Sequence, residues 1–595
     1  MNGVNSDRNS DAAGNFSLNT EHRTPIARAI AKFCSLFTVH FSLFTLRSHR
    51  PLLWLLLAVA LAYLPGALCQ RGFWVADETR YAGVLREMVS GGHWIVPYLN
   101  GSYYPDKPPL YFWGSALAAM AFGRLTPFAA LIVTWFSAVG WVIVTWRLGQ
   151  RIVGDRAAFT GALLMIPAAL SLLCAQMVRM DMTLAWLTAW AMLLFMRAAE
   201  TGGRGRFTGF YLLAALAVLT KGPLGLAFTL LPVVGVLIQR RDGASARRLL
   251  LSPSWLIVIA LVGGWLYAAW AAGEHDYLRN IFGTQLAGRA LRAGFHNEPV
   301  YFYILALPLL LLPWTGLFPR ALADAWKRRR EPGWDLLVWW FLAGLMTISL
   351  VRGKLFIYVL PLLPPLFLAL GDAVSRWTAA PNAGTKPRPC PTRFECGIGP
   401  AVIFLCLALL PLVPLVWTWM AGLFILPPEI VTTANATLPL AAKLPLFPVG
   451  LVAVVAGAFT LISVRRRLAL QAFWTTGFGI VLVSAWFHLA IAPRADEFLS
   501  GRTLANAVNL LQHDGQTVAT AGVQRGIFAF YTDKPLVEIE PAELPDYLAA
   551  NPARVVILPA ARYASHKEWQ RAAPRVLARH FVADRDYLLV TRAEQ

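Results

Sequence analysis

Long apolar runs, punctuated by short arginine-rich clusters, dominate the chain from about Leu52 to Leu489. A helix needs about 20 predominantly apolar residues to cross a bilayer, and the runs recur near that length. The clusters between them are Arg147/Arg151/Arg156, Arg197/Arg204/Arg206, Arg240/Arg241/Arg247/Arg248, Lys327 to Arg330, Arg376 to Arg393 and Arg465 to Arg467. Short loops rich in Lys and Arg stay cytoplasmic, so placing every cluster inside gives one consistent weave of about thirteen spans. These fall near 51–70, 127–148, 157–176, 182–197, 207–220, 223–239, 252–272, 300–318, 334–351, 355–371, 400–425, 446–463 and 473–492. The C-terminus is then predicted to lie outside.

The run from Tyr111 to Phe122 breaks the weave, because counting it would put the Arg147 cluster on the wrong side. It is predicted to be an interfacial or re-entrant helix, which is tolerated where protein or a cavity covers it. Three polar segments face outside: residues 70–109, residues 273–299, and everything after about Ala492. The last holds strand-like runs at Thr517–Ala521, Val555–Leu558 and Tyr587–Val590, alternating with helical stretches such as Arg502–Gln512. That alternation predicts a small α/β domain over residues 493–595. Residues 1–50 read as a cytoplasmic tail before the first span, and residues 378–398 as a Pro/Gly/Thr-rich linker.

Charge adds less than its size suggests. There are 53 Lys and Arg against 32 Asp and Glu, a formal net charge of +21. A basic chain can bind nucleic acid, but here the basic residues sit in short loops between apolar runs. That is the pattern of membrane topology, and no nucleic-acid partner is expected. The six cysteines include no CxxC pair, so neither a zinc ribbon nor a disulfide framework is suggested.

Candidate chemistry concentrates on the outer side. Asp77, Glu78, Arg80, Arg86 and Glu87 cluster just after the first span, as a solvated amphipathic helix or as carboxylates that orient or activate an acceptor. Prolines on both sides stiffen Asp106-Lys107, and a lysine at headgroup level neutralises a lipid phosphate or simply anchors the chain. Asp181, at the outer end of two spans, is costly there unless it faces a cavity or a partner. Arg179 is close in sequence, but two residues of helix would point the pair apart. Lys221, Arg352 and Lys354 are positive charges against the inside bias. Together with Lys107 they suggest a cationic outer cavity for phosphate or diphosphate, with snorkelling anchors as the alternative. His275 and His296 lack metal-ligand spacing by themselves.

Several of these residues stand in an order that resembles a known group. Asp77-Glu-Thr-Arg-Tyr-Ala, Asp106-Lys-Pro-Pro, Arg179-Met-Asp-Met, Leu219-Thr-Lys-Gly-Pro, His296-Asn-Glu-Pro with Tyr301-Phe-Tyr303, Pro313-Trp314 and Gly353-Lys-(x3)-Tyr-(x)-Leu-Pro361 follow one another. The set is similar to the bacterial branch of the protein O-mannosyltransferase superfamily, and within it to the lipid A aminoarabinose transferases. The resemblance implies a GT-C fold: an α-helical polytopic membrane protein with two juxtamembrane helices in the first outer loop and a C-terminal periplasmic α/β domain. It implies an inner-membrane enzyme whose site faces the periplasm. That enzyme moves a sugar, of aminoarabinose type, with inversion from undecaprenyl phosphate to lipid A or another envelope acceptor.

On this resemblance Asp77 and Asp181 are the catalytic acids. Glu78, Arg80, Lys107, Lys221, Arg352, Lys354 and Tyr358 are expected to contact substrate. Asp106 and His296 are the pair pointed to for a divalent metal ion; no nucleotide cofactor is expected. The aminoarabinose transferases usually carry Glu where Asp106 stands, and the shorter acid reaches less far. A hydroxyl acceptor would need Asp77 as base; a lipid A phosphate would not, leaving Asp77 and Asp181 to position the donor sugar. The rival class, a transporter or lipid flippase, predicts broken helices and polar groups at mid-membrane.

Overall fold

The computed structural model describes residues 50–201, 207–281, 283, 298–351, 353–378, 391–413, 443–566, 569–570 and 574–592. The expected tail up to residue 49, together with Arg204, Arg206, His296, Arg352 and most of the expected linker, lies outside them.

Among the described residues, nine helices are long and apolar enough to cross a membrane. Two bent pairs raise the number to eleven: Asp155–Met165 with Ala169–Ala175, at 67°, and Phe302–Leu310 with Thr315–Lys327, at 116°. Pro167 and Pro313 stand in the two breaks, where the ring removes a backbone donor and blocks the helix. The bends meet: Ala169 N–H donates to the Leu312 carbonyl at 3.0 Å, and Trp314 Nε1–H to the Leu164 carbonyl at 2.8 Å. Each break thus satisfies groups that the other frees, as a low-dielectric interior requires. Phe207–Lys221 and Trp334–Leu350 are shorter apolar helices at expected span positions. The run that broke the weave forms the helix Leu110–Ala121.

Close helix packing relies on small residues. A Cβ on Gly161 would lie 2.4 Å from the Phe367 carbonyl oxygen, and one on Gly371 2.3 Å from that of Ala157. These glycines let Asp155–Met165 and Leu363–Trp377 approach backbone to backbone.

Arginines of the basic clusters, and Arg320, pair with acids on the same or neighbouring helices. Arg240 holds Asp335 at 2.5 and 3.0 Å, Arg320 holds Glu395 at 2.9 Å, and Asp372 takes Arg328 and Arg376 at 3.2 and 2.8 Å.

The C-terminal part holds a five-stranded sheet. A first hairpin earlier in the chain supplies β1 (Tyr98–Leu99) and β2 (Ser102–Tyr103). The sheet then uses β3 (Thr517–Ala521), β4 (Val537–Ile539), β5 (Arg554–Pro559), β6 (Arg575–Val582) and β7 (Arg585–Thr591), in the order β4-β3-β5-β7-β6. β3 runs parallel to β4 and β5, while β7 runs antiparallel to β5 and β6. Alternate residues feed opposite cores. Val518, Val555 and Ile557 meet Leu504 and Val508 on one face; Ala519, Val556 and Leu558 meet Leu544, Leu548 and Trp569 on the other. Helix continues from Ala469 through a π turn at Phe487–Ile491 to Leu499, and breaks only at Ser500-Gly501, where Gly501 has φ 73°. Leu52 to Gln595 group as one compact unit, so the sheet is packed onto the helices rather than set apart.

Candidate active site

The first outer loop builds one side of the site. Asp77 and Glu78 open the helix Asp77–Gly91, where negative charge meets the positive end of the helix dipole. Tyr81, Val84, Leu85 and Met88 bury one face of that helix against Leu99, Tyr104 and Phe112. β1 and β2 follow through an Asn100-Gly101 turn with φ 58° and 77°, the two positive values that this tight hairpin demands. The helix Leu110–Ala121 then returns beside the first one, and Tyr81 and Phe112 meet edge to face at 5.6 Å.

From this frame an alternating chain of acids and bases crosses four segments. Asp106 accepts from Arg80 Nη2 at 2.8 Å, and Arg80 Nη1 reaches Asp77 at 3.5 Å. The other Asp77 oxygen pairs with Arg179 Nη1. Arg179 Nε donates to Asp181 at 3.2 Å, and Asp181 also pairs with Lys221 Nζ. Lys221 Nζ lies 4.0 Å from the centre of the Tyr358 ring, over its negative face. Burial is graded along the chain: the Asp77 and Asp106 side chains are 28% and 23% exposed, but those of Asp181 and Lys221 only 3% and 7%. The water-facing edge is therefore the pair of carboxylates, with partly exposed Lys107 next in sequence.

An apolar groove of about 310 Å³ is lined by Trp94, Trp113, Leu219, Leu261 and Trp265, with Leu219 two residues before Lys221. The indoles of Trp113 and Trp265 are fixed by hydrogen bonds to the Trp94 and Ile95 carbonyls, at 2.7 and 2.9 Å. The second outer segment is pinned to the first by Tyr98, whose hydroxyl donates to Glu274 at 2.6 Å while His93 stacks on its ring at 3.9 Å. The bond to Glu274, with burial, pushes the Tyr98 hydroxyl up to about 12.

Several expectations need correction. Glu78 is not open to substrate: it is 2% exposed, takes Arg71 at 2.5 and 2.9 Å, and accepts the Trp74 and Val178 N–H groups at 3.0 and 2.7 Å. Burial opposes its charge, but Arg71 and these hydrogen bonds outweigh that and hold the carboxyl below the usual glutamate value. It is a latch between the first outer loop and residues 176–178. Arg179 and Asp181 do pair, because residue 179 precedes the helix that begins at Asp181, so the argument from helical phase does not apply. Lys221 is neutralised by Asp181, and buried Lys354 donates to the Glu298 carbonyl at 2.8 Å. Of the four cations expected to line a cavity, Lys221 and Lys354 thus each meet a protein acceptor, and Arg352 lies outside the described residues. Sequence reasoning missed Arg71 and the bridging role of Arg179, both recognisable as cations flanking the acidic motifs.

No group of three or more His, Cys, Asp and Glu stands together among the described residues. Asp106 faces a guanidinium, a cation already on the side a metal would take, and His296 lies outside the described residues. EDTA treatment of the purified protein is expected to leave turnover within about two-fold if Arg80 alone meets the charge of Asp106. A large loss restored by Mg²⁺ or Mn²⁺ would contradict this.

The class that the fold defines is a polytopic helical membrane protein with the architecture of ArnT from Cupriavidus metallidurans. The crystal structure of that protein bound to undecaprenyl phosphate matches with a TM-score of 0.68 at 19% identity, covering 91% of this chain and 99% of that one. In sequence, residues 106–268 match the family described as dolichyl-phosphate-mannose-protein mannosyltransferase. That stretch holds Asp106, Lys107, Arg179, Asp181 and Lys221. The chain is 31% identical over 333 residues to the undecaprenyl phosphate-alpha-4-amino-4-deoxy-L-arabinose arabinosyl transferase of Edwardsiella ictaluri, covering 53% of this chain and 57% of that one. It is 33% identical over 332 residues to the protein of the same name from Pseudomonas paraeruginosa, covering 54% and 59%. The chain thus spans less than two thirds of the length of these relatives. Its likeness to the mannosyltransferase superfamily, and within it to the aminoarabinose transferases, holds in sequence over the matched stretch and in fold.

Proposed function

We propose that this chain is an inverting glycosyltransferase that moves an aminoarabinose-type sugar from undecaprenyl phosphate to lipid A, or to another envelope acceptor, at the periplasmic face of the inner membrane. The observation that carries the reading is the acid–base chain whose partly exposed edge is Asp77 and Asp106, next in sequence to Lys107. The groove suits a polyprenyl tail and Lys107 the carrier phosphate. The exposed carboxylates suit a donor sugar bearing hydroxyls and an ammonium group. The names of the relatives and the ligand of the ArnT structure support the same substrates. The short helices Phe207–Lys221 and Trp334–Leu350, counted with the eleven, agree with a weave of about thirteen spans, which supports an outward-facing site under the positive-inside rule. The polar chain lies at helix ends, as at Lys221 and Asp181, which supports transfer over transport.

The reaction is one displacement at the anomeric carbon. The acceptor oxygen forms the new bond as the bond to the carrier phosphate breaks, and the phosphate leaves with the electron pair. Lys107 stabilises that leaving charge, a preorganised electrostatic effect. The Asp77 oxygens accept from Arg80 and Arg179, and a carboxylate keeps further lone pairs for a hydroxyl donor. A phosphate acceptor needs no deprotonation and leaves Asp77 to orient the sugar. With purified protein, donor and lipid A, Asp77→Asn and Lys107→Ala are each expected to lower turnover by about 10²-fold, the usual loss for one such group. Near wild-type turnover in both would contradict the assignment.

A further inference from the structure

The segment Arg71–Ala76 leads directly into Asp77 and has no regular secondary structure of its own. Its backbone donors are nevertheless all engaged from Gly72 to Val75, and most of the partners come from the far end of the chain. Gly72 N–H donates to Asp496 at 2.7 Å, Phe73 N–H to the Tyr531 hydroxyl at 2.6 Å, and Val75 N–H to the Leu499 carbonyl at 2.9 Å. Trp74 N–H goes to Glu78 at 3.0 Å, and its indole N–H to Asp496 at 3.0 Å. The Tyr531 hydroxyl in turn donates to the Phe73 carbonyl at 3.2 Å, so one side chain mimics a strand partner on both groups of residue 73. A Cβ on Gly72 would lie 2.4 Å from that hydroxyl oxygen, which fixes how closely the segment seats.

The docking continues along the helix. Arg86 donates to the Phe530 and Thr532 carbonyls at 3.1 and 2.9 Å, and Phe73 packs edge to face on Phe530 at 4.9 Å. Phe530 and Tyr531 belong to the loop that leaves the C-terminal end of β3. In open α/β sheets the crevice beyond the carboxyl ends of parallel strands is where ligands bind. Here the loop from that edge meets the helix that carries Asp77.

We infer that Asp496 and Tyr531 are positioning residues for the transfer reaction: they fix residues 72–75 and thereby aim Asp77 at the donor sugar. The inference rests on the transfer reading above. Neither residue belongs to the acid–base chain, so they act on Asp77 only through the backbone between. A displacement of about 1 Å at a reacting group costs up to about 10²-fold in rate, which gives such a brace its catalytic weight.

The test uses the full-length protein in detergent with Tyr531→Phe, which keeps the ring against Phe530 and removes only the hydroxyl, and with Asp496→Asn. Hydrogen exchange of the peptide spanning residues 71–81 is expected to rise in Tyr531→Phe, with kcat down about ten-fold and donor KM within about two-fold, the signature of lost orientation rather than lost binding. Trp569→Phe serves as the control: it disturbs the opposite face of the sheet, where Trp569 donates to the Pro541 carbonyl at 2.7 Å, and is expected to leave kcat unaltered. Unchanged exchange, unchanged kcat, a rise confined to KM, or an equal loss in Trp569→Phe would each overturn the inference. If wild-type protein transfers no sugar to any acceptor, the transfer reading fails separately, while the exchange measurement still decides whether Tyr531 braces the segment.

Discussion

Asp181→Ala is expected to abolish transfer and to destabilise the protein by about 3–5 kcal/mol, the usual cost of removing one member of a buried ion pair. Asp181 is the common anion of Arg179 and Lys221, and its side chain is 3% exposed. Without it two cations remain buried against each other. Arg179 also loses the contact that directs its other nitrogen to Asp77. The double variant Asp181→Leu/Lys221→Met removes both charges and is expected to recover much of the stability, because apolar groups of similar volume often replace a buried pair at little cost. Transfer should stay absent in the double variant, since Arg179 then has Asp77 but not Asp181 to fix its orientation. Thermal unfolding and single-turnover transfer, measured side by side, separate the two effects. Recovery of transfer along with stability would show that the pair only holds the fold.

The second large effect is expected at Glu78. Glu78→Gln leaves Arg71, itself 7% exposed, without a counter-charge, and is expected to cost about 3–5 kcal/mol in thermal unfolding. The pH dependence has a definite sign. The folded carboxyl is held below its ordinary value, so the latch contributes fully above about pH 4.3, the unfolded glutamate value, and is lost as pH falls through the lower folded value. Wild-type stability is therefore expected to fall on acidification below that point with a component that Glu78→Gln lacks. Matching acid profiles for the two proteins would remove the latch from the account.

Much of the helical framework was legible because a membrane span is a local property of the chain. Run length and basic punctuation located Pro127–Ile152, Pro223–Arg240 and Phe447–Arg465 to within a few residues. Short strand-like runs located β3, β5 and β7 for the same reason. Partners were not legible. Lys221 and Lys354 looked like free outer cations because Asp181 lies 40 residues from the first and the Glu298 carbonyl 56 from the second. The brace on Gly72 comes from Asp496, 424 residues away. Glu78 looked like its neighbour Asp77, yet a step of one residue on a helix turns a side chain by about 100°, and this puts one carboxylate at the open edge and the other in the interior. The Asn100-Gly101 turn is a hairpin signal in the sequence, set between aromatic residues.

The central claim is transfer of a sugar from a polyprenyl-phosphate carrier to an envelope lipid. Its most direct test compares the lipid A mass spectra of otherwise identical cells that have and lack this chain. Appearance of species heavier by one aminopentose only when the chain is present, and their disappearance in the Asp77→Asn strain, is the predicted result. Identical lipid A and envelope-glycan spectra in all three strains, with the protein present in the membrane and its donor available, would contradict the account.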